Sequence, residues 1–98
     1  MAKENFVTDD LENLSEEVVF EQIEQLQNEN FKNLPKTDIG IQDIAAIALN
    51  NMPPKYICSF IDKTAPRQEL LEDLKELRKY ARRQLIKAIK KVASNPHD

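Results

Sequence analysis

The stretch Ile41–Tyr56, IQDIAAIALNNMPPKY, decides how this chain folds. Ile41, Ile44, Ala45, Ala48 and Leu49 recur at the spacing of one helix face, so the segment is read as a buried helix. Asn50–Asn51 is a candidate C-terminal cap, because Asn tolerates a left-handed backbone better than most residues. Pro53–Pro54 then forbids continuation. Proline lacks a donor and pushes the residue before it to extended geometry. The next segment, Lys55–Asp62 (KYICSFID), is short, apolar and β-leaning. A buried helix, a rigid stop and an extended segment result, and the rest of the chain is expected to be organised around them.

Working outward toward the C-terminus, Tyr56, Cys58 and Phe60 share one parity and Ile57 and Ile61 the other. With both faces apolar, the segment is expected to be covered on both sides. An isolated strand cannot satisfy its backbone, and no second strand is evident. The simplest expectation is pairing with the same segment of a second chain across a two-fold axis. Lys63–Arg67 reads as a turn, with Thr64 or Ala65 at the cap and Pro66 in the first turn of the last helix. That helix is expected from about Pro66 to Ala93. Leu70, Leu74, Leu77, Ala81, Leu85, Ala88 and Val92 alternate steps of three and four, the 3.5-residue seam of a coiled-coil-like contact. Its length again favours a second chain alongside. Asn95-Pro96 ends it.

Working outward toward the N-terminus, Asn30–Ile39 is a connector broken by Pro35, with Phe31 and Leu34 as core anchors and Thr37 or Asp38 as the next cap. Asp9–Asn28 reads as the first helix. Leu11, Leu14 and Val18 give one apolar row, and Val19, Ile23 and Leu26 an adjacent one. Phe20 falls away from both, so it is either a solitary surface aromatic or a contact for a second subunit. Residues 1–8 are polar and unpatterned and are expected to be frayed. Residues 9–98 form the one domain. The fold class is mainly α: a small three-helix domain with a short extended segment after the Pro-Pro step, as a homodimer.

Composition agrees with that class. One Gly, no Trp and 32% charged residues point to helices rather than sheet. A chain of 98 residues so thin in aromatics has a core near the lower limit, which favours a partner subunit. No run of ~20 apolar residues spans a membrane, and MAKENFVTDD lacks the apolar core of a signal peptide. One Cys, Cys58, forms no intrachain disulfide and suits a reducing cytoplasm, the expected location.

The net charge of −3 hides a split. Residues 1–50 carry 3 basic and 11 acidic side chains, and residues 51–98 carry 11 basic and 6 acidic. Arg78–Lys91 holds seven Lys or Arg and no carboxylate. Such asymmetry points to an anionic partner or to self-association between unlike halves.

Enzymatic constellations are missing. The single His, His97, lies at the terminus, and Cys58 is read as a small buried apolar residue, so no Cys–His or Ser–His arrangement forms. Gly40 is the only glycine, which removes a phosphate-cradling loop. Glu72 and Glu76 lie one turn from Lys75, Arg78 and Lys79, and ordinary helix pairs account for them. No catalysis and no cofactor are expected. Within the basic run, Lys79, Arg83 and Lys90 lie opposite the seam, where solvated surface is the default. Arg78 and Arg82 flank the seam one turn apart, within expected reach of a groove formed with the Pro-Pro segment. A guanidinium binds phosphate bidentately and stacks on a base. Lys55, Tyr56, Arg67 and Arg83 complete the candidate ligand-binding set, with Tyr56 offering a stacking surface.

ALNNMPPKY resembles the signature of the late competence development protein ComFB family, an Ala-Leu-Asn helix end followed by Pro-Pro and an aromatic. The ending AIKKVASNPHD (Ala88–Asp98) is similar to that family's closing helix and Asn-Pro turn. The likeness reaches from about Leu11 to the C-terminus. It implies a small dimeric helical protein linked to natural competence, and some members of the family are receptors for cyclic di-GMP. Many ComFB-like proteins carry a cysteine cluster in the connector that reads as a zinc site. Here Asn30–Ile39 contains no Cys or His, so no zinc site is expected. Three readings compete. The first is a cyclic di-GMP receptor acting on a regulatory protein partner. The second is a ligand-free dimeric adaptor or scaffold linked to competence or gene regulation. The third, direct nucleic-acid binding, is the weakest because the net charge is negative.

Overall fold

A computed structural model describes residues 2–6, 11–57 and 67–94. Three helices carry the fold: α1 (Leu14–Asn28), α2 (Asp38–Asn50) and α3 (Gln68–Ser94). A two-stranded antiparallel ladder, β1 (Glu12–Asn13) with β2 (Tyr56–Ile57), pairs Glu12 with Ile57 and Asn13 with Tyr56. Ala2–Asn5 forms a single 3-10 turn with no buried residue.

α1 starts later than the apolar rows predict. Asn13 is the N-cap in extended geometry, and its side-chain oxygen accepts from the Ser15 N–H at 3.1 Å. The residues before it are extended, which removes Leu11 from the helix and leaves it about half exposed. That same extended pair is the missing partner strand: β2 pairs within the chain at Tyr56–Ile57, and no second copy is needed for it. Only one face of β2 is covered, since Tyr56 is exposed and Ile57 half-buried. Cys58, Phe60, Ile61 and the expected turn with Thr64, Ala65 and Pro66 lie outside the described residues.

α1 ends in a Schellman arrangement. Asn30 adopts φ 53°, its N–H donates to the Gln27 carbonyl at 3.1 Å, and the Phe31 N–H donates to the Leu26 carbonyl at 3.0 Å. The left-handed asparagines are thus Asn30 and Asn33, in the connector. Asn51, the cap of α2, sits at φ −108°, outside the left-handed region, and its side-chain Nδ2 donates to the Ile47 carbonyl at 2.8 Å instead. Thr37 caps the start of α2 as expected, its hydroxyl accepting from the Gly40 N–H at 3.0 Å.

α3, not α2, is the element on which both other helices lie. Leu70, Ala81, Leu85 and Ala88 of its seam are buried, and Leu74, Leu77 and Val92 pack half-buried against the core. Ile89, off the seam, is also buried and widens the apolar stripe beyond the narrow coiled-coil type. Burial of Ala45, Ala48, Ala81 and Ala88 lets α2 and α3 approach closely. The length of α3, roughly 40 Å at ~1.5 Å per residue, is therefore used within the chain.

Candidate functional site

The Pro-Pro segment is held against the start of α1 by a compact set of bonds. The Ser15 hydroxyl donates to the Pro53 carbonyl at 2.6 Å. Asn13 Oδ1 accepts from the Lys55 N–H at 3.1 Å as well as from Ser15, and the Leu14 N–H donates to the Lys55 carbonyl at 2.6 Å. One capping side chain thus ends a strand, begins a helix and fixes a loop. Pro53 and Pro54 are presented rigidly to solvent as one wall of a groove.

α3 forms the opposite wall. The groove, about 590 Å³, is lined by Pro53, Pro54, Lys55, Asp73, Glu76, Leu77, Tyr80 and Arg83. Lys55 Nζ lies 3.2 Å from Asp73 Oδ2, and Glu76 lies 3.6 Å from Lys79. Tyr80 donates its hydroxyl to the Asn51 carbonyl at 3.2 Å, which anchors its ring between the end of α2 and the groove. Arg83 makes no ion pair among the described residues. Pro53, Pro54 and Leu77 give the groove apolar faces, and Lys55, Asp73, Glu76, Tyr80 and Arg83 give it polar groups of both charges, within the size range of small-molecule sites.

The sequence-expected residues are divided by this geometry. Lys55 and Arg83 share the groove. Arg78 and Arg82 face α1: Arg78 Nε donates to Glu21 Oε1 at 2.7 Å, and Arg82 donates through both terminal nitrogens to Glu29 at 2.6 and 2.9 Å. The hydrogen bond from Arg82 holds the Glu29 carboxyl below its ordinary value of 4.5, and Glu29 in turn raises the guanidinium. These two arginines clamp α1 to α3 and stand off the groove walls. Tyr56, exposed on β2, and Arg67, just before α3, are not among the lining residues. Tyr80 is the aromatic side chain that lines the groove. Its spacing from Arg83, three residues along one helix face, was the available signal.

Residues 12–96 match the family model of the late competence development protein ComFB. The chain belongs to the ComFB family. The match begins at β1 and covers the Pro-Pro segment and α3, so the strand-to-cap unit and the groove both lie inside the ComFB part of the chain. No curated protein matches the sequence. This ComFB-family chain is a competence-related, mainly helical protein, and no helix among its described residues is long and apolar enough to cross a membrane. Among the described residues no group of three His, Cys, Asp or Glu is placed to hold a metal ion. Cys58 and His97 fall outside those residues.

Proposed function

We propose that this ComFB-family protein is a non-enzymatic signalling receptor that takes cyclic di-GMP in the groove between Pro53–Lys55 and α3. Ligand state then passes to a regulatory protein partner. The observation that carries this reading is the meeting of Tyr80 and the Pro53–Pro54 surface with Lys55 and Arg83. A ligand with two phosphates and two guanines calls for cations beside flat apolar faces. Arg suits the phosphate because its planar fork matches two oxygens and its face stacks on a base. Lys55 exchanges Asp73 for a phosphate at little cost, since an exposed pair of this kind is weak. For the ligand to regulate, it must favour one of two states that differ in partner affinity.

The test is calorimetric titration of the purified protein with cyclic di-GMP, with cyclic di-AMP and GTP as controls. Saturable heat selective for the guanine dinucleotide supports the reading. Absence of heat at high ligand excess removes it and leaves a ligand-free adaptor. The adaptor reading has an observation of its own: Arg78 and Arg82 are engaged by Glu21 and Glu29, and two carboxylates, Asp73 and Glu76, line the groove.

A further inference from the structure

Tyr80 lines a second cleft as well as the groove. This cleft, about 330 Å³, lies between the end of α2 and the C-terminal half of α3 and is lined by Ile47, Asn51, Tyr80, Gln84, Lys87, Ala88 and Lys91. The groove has Asp73 and Glu76 in its lining, whereas no carboxylate among the described residues lines the cleft. The carboxylates that meet cations of α3 take Lys79 within the helix and Arg78 and Arg82 toward α1. Arg83, Lys87 and Lys91 are exposed and make no ion pair among the described residues.

Residues four apart form one ridge of a helix. Arg83, Lys87 and Lys91 make a ridge of cations, spaced about 6 Å along the axis at ~1.5 Å per residue. Tyr80, Gln84 and Ala88 make the adjacent ridge, which shares the cleft with Ile47 and Asn51 at the end of α2. The bond from the Tyr80 hydroxyl to the Asn51 carbonyl fixes the ring in place. Lysines alone are ordinary solvated surface. Here they stand beside a fixed aromatic ring and two amides, with no carboxylate to compete for them. A nucleotide chain calls for that combination, since its phosphates take the cations while a base stacks on the ring or hydrogen-bonds to the amides. The net charge of −3 does not describe this face, because the acidic excess belongs to residues 1–50.

We propose that the cleft between α2 and α3 binds single-stranded nucleic acid, with phosphates along Arg83, Lys87 and Lys91 and a base on Tyr80. A duplex fits the cleft poorly, because its bases are stacked on one another and offer Tyr80 no free face. Tyr80 and Arg83 also line the Pro-Pro groove, but Lys87 and Lys91 line the cleft alone. The proposal therefore stands or falls at these two lysines, apart from what the groove binds.

Fluorescence anisotropy of a labelled oligothymidylate of about 12 nucleotides tests it on the full chain, at salt from about 50 to 200 mM. Binding should weaken with salt at a log–log slope of about −2, as three phosphate contacts give at about −0.7 each. Lys87→Gln/Lys91→Gln should cut the slope to about −0.7 and weaken binding at least about tenfold at the lowest salt. Tyr80→Ala should weaken binding at least about fivefold with the slope unchanged, since the ring carries no charge. Lys32→Gln/Lys36→Gln, the same loss of net charge in the connector, should leave affinity and slope as they are. No binding at the lowest salt overturns the proposal. So does a connector variant that loses as much as the cleft variant, or a DNA duplex bound as tightly as the single strand.

Discussion

The Ser15 hydroxyl reaches across 38 residues of sequence to the Pro53 carbonyl, at 2.6 Å. The bond joins the first turn of α1 to the Pro-Pro wall of the groove, and Ser15 is buried, so water does not replace it. Ser15→Ala leaves the carbonyl without that donor and should cost about 1–3 kcal/mol, read from urea denaturation. Asn13→Ala removes the cap of α1 and the acceptor of the Lys55 N–H together, and should cost at least as much as a lost cap alone, about 0.5–2 kcal/mol. Both should weaken any ligand of the groove without touching it. A groove affinity unmoved by either change would show that the wall is held by other contacts.

Gly40 stands where a side chain does not fit. A Cβ there would lie 2.5 Å from Pro35 Cβ and 3.1 Å from the Thr37 hydroxyl oxygen that caps α2. Gly40→Ala gains helix propensity, worth up to about 1 kcal/mol, but must displace a rigid ring or the cap. Overpacking of this kind costs about 1–3 kcal/mol, so the expected net effect in thermal unfolding is a loss of stability. A raised melting temperature would mean that the connector yields freely.

The clamp of α1 on α3 has an acid limit. The folded state holds the Glu29 carboxyl below 4.5 through its hydrogen bonds from Arg82, so folding favours the ionised form. Its contribution is complete above the unfolded value and is lost as pH falls through the lowered folded one. Because Glu29 is exposed, solvent screens the pair and the effect is small. Thermal unfolding followed from about pH 6 to pH 3 should show a shallower acid decline in Glu29→Gln than in the wild type. Identical profiles would show that the pair contributes nothing to stability.

The three helices were legible in the sequence because their apolar spacing is strong. Leu14 to Leu26 and Leu70 to Val92 hold their period over several turns, and Ile41 to Leu49 over about two. The two-residue strand before α1 was not, since Glu12-Asn13 has no β character of its own and pairs only because Pro53–Pro54 delivers Tyr56 beside it. Asn13 is polar and adjacent to apolar Leu14, so it reads as well inside a helix as at its cap. The groove was half legible. Pro-Pro and the basic run announced it, but which arginines line it depends on where α1 lies around α3. Helical periodicity fixes the core face, while the side to which α1 packs is a tertiary fact. That side takes Arg78 and Arg82 to Glu21 and Glu29 and leaves Tyr80 and Arg83 to the groove.

The most direct test of the account is a calorimetric titration with cyclic di-GMP of two double variants beside the wild type. Tyr80→Ala/Arg83→Ala removes the stacking face and the guanidinium of the groove, while Arg78→Ala/Arg82→Ala removes only the clamp on α1. The account predicts saturable binding by the wild type, at least about tenfold weaker binding by the groove variant, and near-normal binding by the clamp variant. Binding lost in the clamp variant and retained in the groove variant, or no binding by the wild type, would contradict it.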